Sequence, residues 1–229
     1  MNVVYEDNHI IVVNKAPGEI VQGDKTGDKP LVEIVREYIK EKYQKPGNVF
    51  CGVVHRLDRP VGGLVIFAKT SKALTRLNDM FREGRVNKTY WAISRNKPNP
   101  PSGHLTHYIT TVEKTNKSTA HKTPKANAKE ARLSYRLLGQ SDRYNLIEVK
   151  LETGRKHQIR VQLSAIGCPL RGDLKYGDKR SNPDGSISLM ARSIEFEHPV
   201  SHQLIKLTAP VPSGDPLWEA MEKISRNEQ

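Results

Sequence analysis

Residues 53–67 read Val-Val-His-Arg-Leu-Asp-Arg-Pro-Val-Gly-Gly-Leu-Val-Ile-Phe, a single carboxylate between two arginines with an apolar run on each side. Apolar runs this short, bounded by Pro and Gly, predict buried strands separated by a turn. The charged segment is then carried at a strand end or bulge instead of in open solvent. Asp58 is thereby held on a scaffold, which makes it the first place to look for chemistry.

The flanking sequence predicts antiparallel strands with helices between them. Val3 to Val13 reads as two strands around a turn at Glu6-Asp7-Asn8-His9, an opening hairpin. Leu31, Ile34, Val35, Tyr38 and Ile39 recur at helical spacing, with Pro30 suited to the first turn. A second helix is expected with Ser71 as its cap, Leu74, Leu77 and Phe81 on one face and Gly84 as its end. In the strand 86–93, alternation puts Lys88 with Tyr90, and Trp91 with Ile93 on the opposite face. Residues 94–104 read as a Pro-rich loop, and the lysine-rich stretch 114–129 as a mobile one. Strands near 131–138 and 144–151 lead to a helix from about Lys156, with Arg160 on its flank and Gly167 as its stop. The tail adds strands near 188–196 and 204–207 and a short helix after Pro216. Such an order indicates an α+β fold. No linker or repeat interrupts residues 1–229, so one domain is expected.

Charge bounds the partner. A formal net charge of +12 and a pI near 9.7 favour an anionic polymer, since clustered Lys and Arg gain from releasing counterions condensed on phosphates. Charge alone fits a generally basic soluble protein equally well. Cys51 and Cys168 form no Cys-x-x-Cys pair, so neither a disulfide framework nor a zinc ribbon is expected, and reduced thiols in the cytoplasm are. No signal peptide or apolar stretch of about 20 residues predicts a membrane role. His104-x-x-His107 has no further ligand pair, and Pro199 keeps His198 and His202 from sharing a helical face. No nucleotide-cofactor motif is present, so neither metal nor cofactor is expected.

Three ordered blocks carry a resemblance. His55-Arg56-Leu57-Asp58-Arg59 with the following Gly-Gly-Leu, then Lys88-Thr89-Tyr90, then Gly154-Arg155-Lys156-His157-Gln158-Ile159-Arg160 resemble the motifs of the RluA family of pseudouridine synthases. The likeness runs in register from about Tyr5 to about Pro212. Gly62 stands where that family usually has Ser or Thr, and the small S4 domain that often precedes the catalytic domain is expected to be missing. The resemblance implies a mixed, mainly antiparallel bent sheet with flanking helices and a central catalytic cleft. It also implies a cofactor-free isomerisation of uridine in structured rRNA or tRNA after base flipping. A monomer is expected.

What the resemblance assigns can be set beside what each residue would mean alone. Asp58 becomes the catalytic carboxylate; alone, it would read as a surface charge paired to Arg56 or Arg59. Arg160 becomes the cation that keeps that carboxylate charged; alone, an exposed helix charge. Tyr90 becomes the ring that stacks on the target base and assists proton removal; alone, a core tyrosine. Arg56 becomes the side chain entering the helix where the uridine leaves, since guanidinium stacks on bases. His55, Leu189, Lys88, Arg155 and His157 complete the substrate-binding set, with plain packing as the other reading of His55 and Leu189. Two rivals are a non-catalytic RNA-binding protein on the same fold and a nucleosidase that would release free uracil.

Overall fold

The computed structural model describes residues 1–227. In chain order its elements are β1 (Asn2–Glu6), β2 (Ile10–Lys15), α1 (Leu31–Lys42), β3 (Gly52–Val53), β4 (Gly62–Ala68), α2 (Ser71–Arg82) and β5 (Asn87–Ser94). There follow β6 (Ser102–Val112), β7 (Lys117–His121), β8 (Lys129–Gln140), β9 (Asn145–Leu151), α3 (Gln158–Ala165), β10 (Leu189–Glu197), β11 (Leu204–Thr208) and α4 (Pro216–Asn227). Contacts cluster into two compact units, Met1–Asn87 with Ser193–Ala209, and Lys88–Arg192 with the segment from Pro210 onward.

In the first unit β2 pairs antiparallel with both β1 and β4, and the two-residue β3 lies on β4. All seven residues of β4 and the run Ile10–Val13 are buried. Strands covered on both faces read as continuous apolar runs instead of alternating ones. Helix α1 buries Leu31, Val32, Val35 and Ile39, and Pro30 stands just outside it at the N-cap. Helix α2 is capped one residue earlier than expected: the Thr70 hydroxyl accepts from the Ala73 N–H at 3.2 Å, and Ser71 is the first helical residue. Adjacent Thr and Ser both have the cap's chemistry, which leaves a one-residue ambiguity in sequence.

In the second unit β9 pairs antiparallel with β5 and β8, and β6 pairs with β8 and β7. Strand β7 corrects the expectation of a mobile loop over 114–129. Lys117 opens a strand whose inward position is taken by the buried Ser118. The Ser118 N–H donates to the Tyr176 hydroxyl at 2.8 Å, and its own hydroxyl donates to the Lys156 carbonyl at 3.0 Å. A strand held inside by a serine has no apolar alternation to betray it. Helix α3 begins at Gln158, after His157 in the left-handed region at φ 56°, and buries Arg160, Val161 and Leu163.

The first unit is tied together at Glu6, whose side chain is 7% exposed. Its two carboxylate oxygens accept from Lys42 at 2.7 Å, Lys69 at 2.7 Å, Tyr43 at 2.8 Å and Tyr38 at 3.0 Å. Burial pushes the Glu6 pKa up, but these four donors outweigh it and hold the carboxyl at about 2. A folded-state pKa below the ordinary 4.5 means stabilisation that is complete above about pH 4.5 and lost as pH falls towards 2. Glu6→Gln leaves Lys69, 6% exposed, without its counter-charge and is expected to cost about 3 kcal/mol at pH 7. Urea titrations of both proteins from pH 7 to pH 2 check this. A difference that does not shrink with acid would remove the carboxylate's charge from the explanation.

Candidate active site

In the first unit, residues 54–61 leave the sheet between β3 and β4. Leu57 and Val61 are buried on either side of Asp58, and the Val61 N–H donates to the Asp58 carbonyl at 3.0 Å. That closes a tight turn with Asp58 at its first position, where Asp is favoured. The turn is gripped from the end of β2. Lys15, 1% exposed, points its ammonium at three carbonyls: Val61 at 2.7 Å, Ala16 at 3.0 Å and Arg59 at 3.2 Å. The Gly18 N–H donates to the Arg59 carbonyl as well, at 2.8 Å. Burial lowers the Lys15 pKa to about 8, against the raising influence of Glu19 and Asp58. A cation therefore lies within electrostatic reach of Asp58.

Neither neighbouring arginine pairs with Asp58. Arg59 turns to Asp28 at 2.6 Å, the Thr26 hydroxyl at 2.6 Å and Asp24 at 3.6 Å. Arg56 is exposed, and among the described residues it has no ion-pair partner. His55 is locked: its Nε2 accepts from the Ile66 N–H at 3.1 Å, and its ring stacks on Phe81 with centroids 4.8 Å apart. Gly62, the departure from the family pattern, lies against the same strand end. A Cβ there would sit 3.2 Å from the Lys15 carbonyl oxygen and 3.2 Å from Pro17 Cδ, so glycine relieves crowding where Lys15 grips the turn.

In the second unit, Tyr90 lies mid-strand on β5 opposite Val149 and is 7% exposed. Lys88, two residues earlier, is half-buried, and burial lowers its pKa. A Cβ built on Gly154 would meet the Lys88 Nζ at 3.9 Å, which brings the Lys-Thr-Tyr block beside the Gly-Arg block. Gln158 shapes the turn that carries Gly154 and Arg155. Its Oε1 accepts from the Thr153 hydroxyl at 2.8 Å and the Arg155 N–H at 2.9 Å, and its amide donates to the Arg132 carbonyl at 3.0 Å. Arg155 is exposed, with its Nε donating to the Glu130 carbonyl at 2.8 Å. Leu189 is buried at the start of β10.

Arg160 is not an exposed residue on the helix flank. It is 6% exposed, and its Nε and Nη2 donate to the two oxygens of Asp173 at 2.7 and 2.9 Å. This two-pronged geometry fixes the plane of the guanidinium as well as its place. The Tyr176 ring lies 5.0 Å from the guanidinium carbon. The Tyr176 hydroxyl accepts from the Ser118 N–H at 2.8 Å and shares a hydrogen bond of 2.7 Å with His157 Nδ1. Burial pushes the Tyr176 pKa up, which keeps the hydroxyl a donor.

Lys15, Asp173 and Tyr176 are the residues that sequence reasoning missed. For Lys15 a signal existed, a lysine closing a mostly apolar strand ahead of Ala-Pro-Gly. Asp173 lies in a loop 13 residues from Arg160, with no period linking the two. Among the described residues no group of three His, Cys, Asp or Glu is arranged to hold a metal ion.

Comparison with known proteins gives a consistent answer. A family described as RNA pseudouridylate synthase matches residues 9–165. An uncharacterised RNA pseudouridine synthase of Bacillus subtilis, YlyB, is 30% identical over 230 residues, covering 99% of this chain and 74% of the relative. The ribosomal large subunit pseudouridine synthase D of Zymomonas mobilis is 31% identical, covering 98% and 74%. The tRNA pseudouridine synthase C of Pectobacterium carotovorum is 30% identical, covering 91% and 58%. The solved structure of human RNA pseudouridylate synthase domain containing 4 has the same fold, with a TM-score of 0.79 at 23% identity over 98% of this chain and 93% of that one. With an α+β fold of mainly antiparallel strands, all three motif blocks and relatives matched over most of their length, the chain belongs to the RNA pseudouridylate synthase family, in the RluA group that its motifs resemble.

Proposed function

We propose that the chain, acting as one catalytic domain and as a monomer in the cytoplasm, isomerises specific uridines of structured rRNA or tRNA with Asp58 as its catalytic carboxylate. Pseudouridine synthase activity itself follows from the family. The two RNA classes come from the names of relatives, a ribosomal large subunit enzyme and a tRNA enzyme. Among the described residues no helix is long and apolar enough to cross a membrane. The non-catalytic alternative is not favoured, since the matched relatives are named as synthases.

The observation that carries the role of Asp58 is its turn, held by Lys15 while Arg59 pairs elsewhere. In the reaction the bond from the sugar C1′ to N1 of uracil breaks, the base turns, and C1′ bonds to C5. The C5 proton is then removed and N1 takes one up, so no co-reactant is consumed. An ionised, fixed carboxylate can attack C1′ or stabilise its positive charge while the base turns. Tyr90 stacks on the base and assists removal of the C5 proton. Arg160, held in plane by Asp173, supplies the positive charge that keeps a desolvated carboxylate ionised. Arg56 enters the RNA where the uridine leaves. His55 holds its shape, Lys88 and Arg155 meet phosphates, Leu189 gives an apolar wall and His157 supports the Arg160 helix.

Asp58→Asn keeps the shape and removes the charge. It is expected to abolish pseudouridine formation, at least a thousandfold, with RNA affinity within about threefold, because phosphate contacts carry binding. Chemical mapping of pseudouridines in RNA from cells with and without the gene supplies the substrate, and tritium release from its C5 position gives the rate. Turnover near that of the unaltered protein, or release of free uracil, would overturn the assignment.

Tyr90 separates into ring and hydroxyl. Tyr90→Phe is expected to retain glycosidic bond cleavage and slow C5 proton removal by about tenfold or more, whereas Tyr90→Ala loses both. Single-turnover kinetics with an adduct-forming 5-fluorouridine substrate checks this. Equal, mild effects would make Tyr90 a packing residue.

Lys114, Lys122 and Lys125 are exposed, and among the described residues none has an ion-pair partner. Replacing all three by Gln is expected to flatten the log–log salt dependence of RNA binding by about two to three, at roughly 0.7 to 0.9 per phosphate contact. The rate at saturation stays unchanged. An unaltered salt slope in a filter-binding titration would leave them as solvated charges.

A further inference from the structure

Within the first unit an open hollow of about 470 Å³ lies beside the motif. Val32 of α1, Val53 of β3 and Val54 form apolar wall, and Gln22, Arg36 and Arg56 bring polar groups to it. Its size falls in the range of small-molecule sites, and its lining is mixed, with Gln22, Arg36, His55 and Arg56 beside Val32, Cys51, Val53 and Val54. His55, which also lines it, is held by Ile66 and Phe81, so this edge is rigid before anything binds.

The charge at this hollow is uncompensated. Arg59 nearby is matched by Asp28 and Asp24. Arg36 makes one bond, from Nη2 to the Cys51 carbonyl at 3.3 Å, and among the described residues neither Arg36 nor Arg56 has a carboxylate partner. Among the described residues no Asp or Glu lines the hollow. Two unneutralised guanidiniums beside an apolar wall suit a flat heteroaromatic ring attached to a phosphate, since guanidinium both stacks on bases and bonds phosphate oxygens. Gln22 offers a donor and an acceptor for the edge of a base. The reacting uridine is an unsuitable occupant, because its chemistry needs a carboxylate and none lines this wall.

We propose that this hollow seats a second, unstacked nucleotide of the substrate RNA, one that flanks the target uridine and is not itself modified. The inference rests on the proposed RNA substrate and adds a specificity site to it. Arg36 and Gln22 read this nucleotide, and Arg56 serves both it and the target's exit.

Two measurements test it. Methyl NMR of the full chain is titrated with 5′-AMP, 5′-GMP, 5′-CMP and 5′-UMP, with inorganic phosphate as control. At least one mononucleotide is expected to shift the Val32, Val53 and Val54 methyls with affinity on the order of millimolar, and Arg36→Ala, an exposed helix position, weakens this at least fivefold. Absence of valine shifts, or equal shifts with phosphate alone, overturns the nucleotide seat. These outcomes do not depend on whether pseudouridine forms, so failure here is separate from failure of the proposed function.

The second measurement uses the stem-loop around the mapped uridine, with single abasic residues placed at each flanking position. One position is expected to raise KM by about tenfold with the unaltered protein and by less than twofold with Arg36→Ala plus Gln22→Ala, at unchanged kcat. If the abasic penalties are the same in both proteins, no flanking base sits here and the hollow serves free nucleotides or nothing. Melting temperatures confirm that the variants are folded.

Discussion

The buried ammonium of Lys15 is the interaction on which the arrangement of Asp58 depends. An ammonium removed from water is costly unless its three hydrogens are satisfied, and here the carbonyls of Ala16, Arg59 and Val61 satisfy them. The bonds span 44 and 46 residues of sequence, so they weld the end of a core strand to the turn that carries Asp58. Consequences follow for each neighbour. The turn carbonyls point inward to Lys15, and Arg59 is anchored to the 24–28 segment. A Cβ at Gly62 would stand 3.2 Å from the Lys15 carbonyl, so a side chain there would crowd the grip.

Arg160 shows the same logic with a charged partner in place of neutral carbonyls. Its guanidinium is buried against the carboxylate of Asp173, and a buried pair of this kind is a weak source of stability. Its value lies in orientation, because two parallel bonds leave the fork one plane to occupy. Tyr176 backs that plane and reaches Ser118 and His157 through its hydroxyl. The edge strand β7, the start of α3 and the loop bearing Asp173 therefore hold one guanidinium between them. A conservative change at any of these positions would be felt as a tilt of Arg160 before it was felt as unfolding.

What was legible in sequence divides along the range of the interactions. The opening hairpin, α1, α2 with Gly84 beyond its end, and the strands 129–140 and 145–151 followed from local period and turn chemistry. The three motif blocks were visible because each is contiguous, and the family resemblance they carry is what singled out Asp58, Tyr90 and Arg160. Strand β7 escaped because its inward residue is Ser118, satisfied by a tyrosine 58 residues away. Asp173 escaped because nothing in Arg-Gly-Asp-Leu-Lys-Tyr declares a buried carboxylate. Burial of Arg160 escaped because a lone arginine among apolar helix residues looks, in one dimension, like the wet side of an amphipathic helix.

The same distinction applies to charge. A net charge of +12 predicts affinity for polyanions but does not say where it acts, because many of the cations are already engaged. Lys42 and Lys69 are committed to Glu6, Arg132 to Glu130 and Glu152, Arg136 to Glu148, and Arg160 to Asp173. A cation with a carboxylate at hydrogen-bond distance must give up that partner, or share it, to meet a phosphate. One without such a partner pays only the loss of water. Arg36 and Arg56 are of the second kind and stand at one hollow, as are Lys114, Lys122 and Lys125 near β7. An RNA footprint is therefore better read from cations that the fold leaves uncompensated than from basic residues counted along the chain.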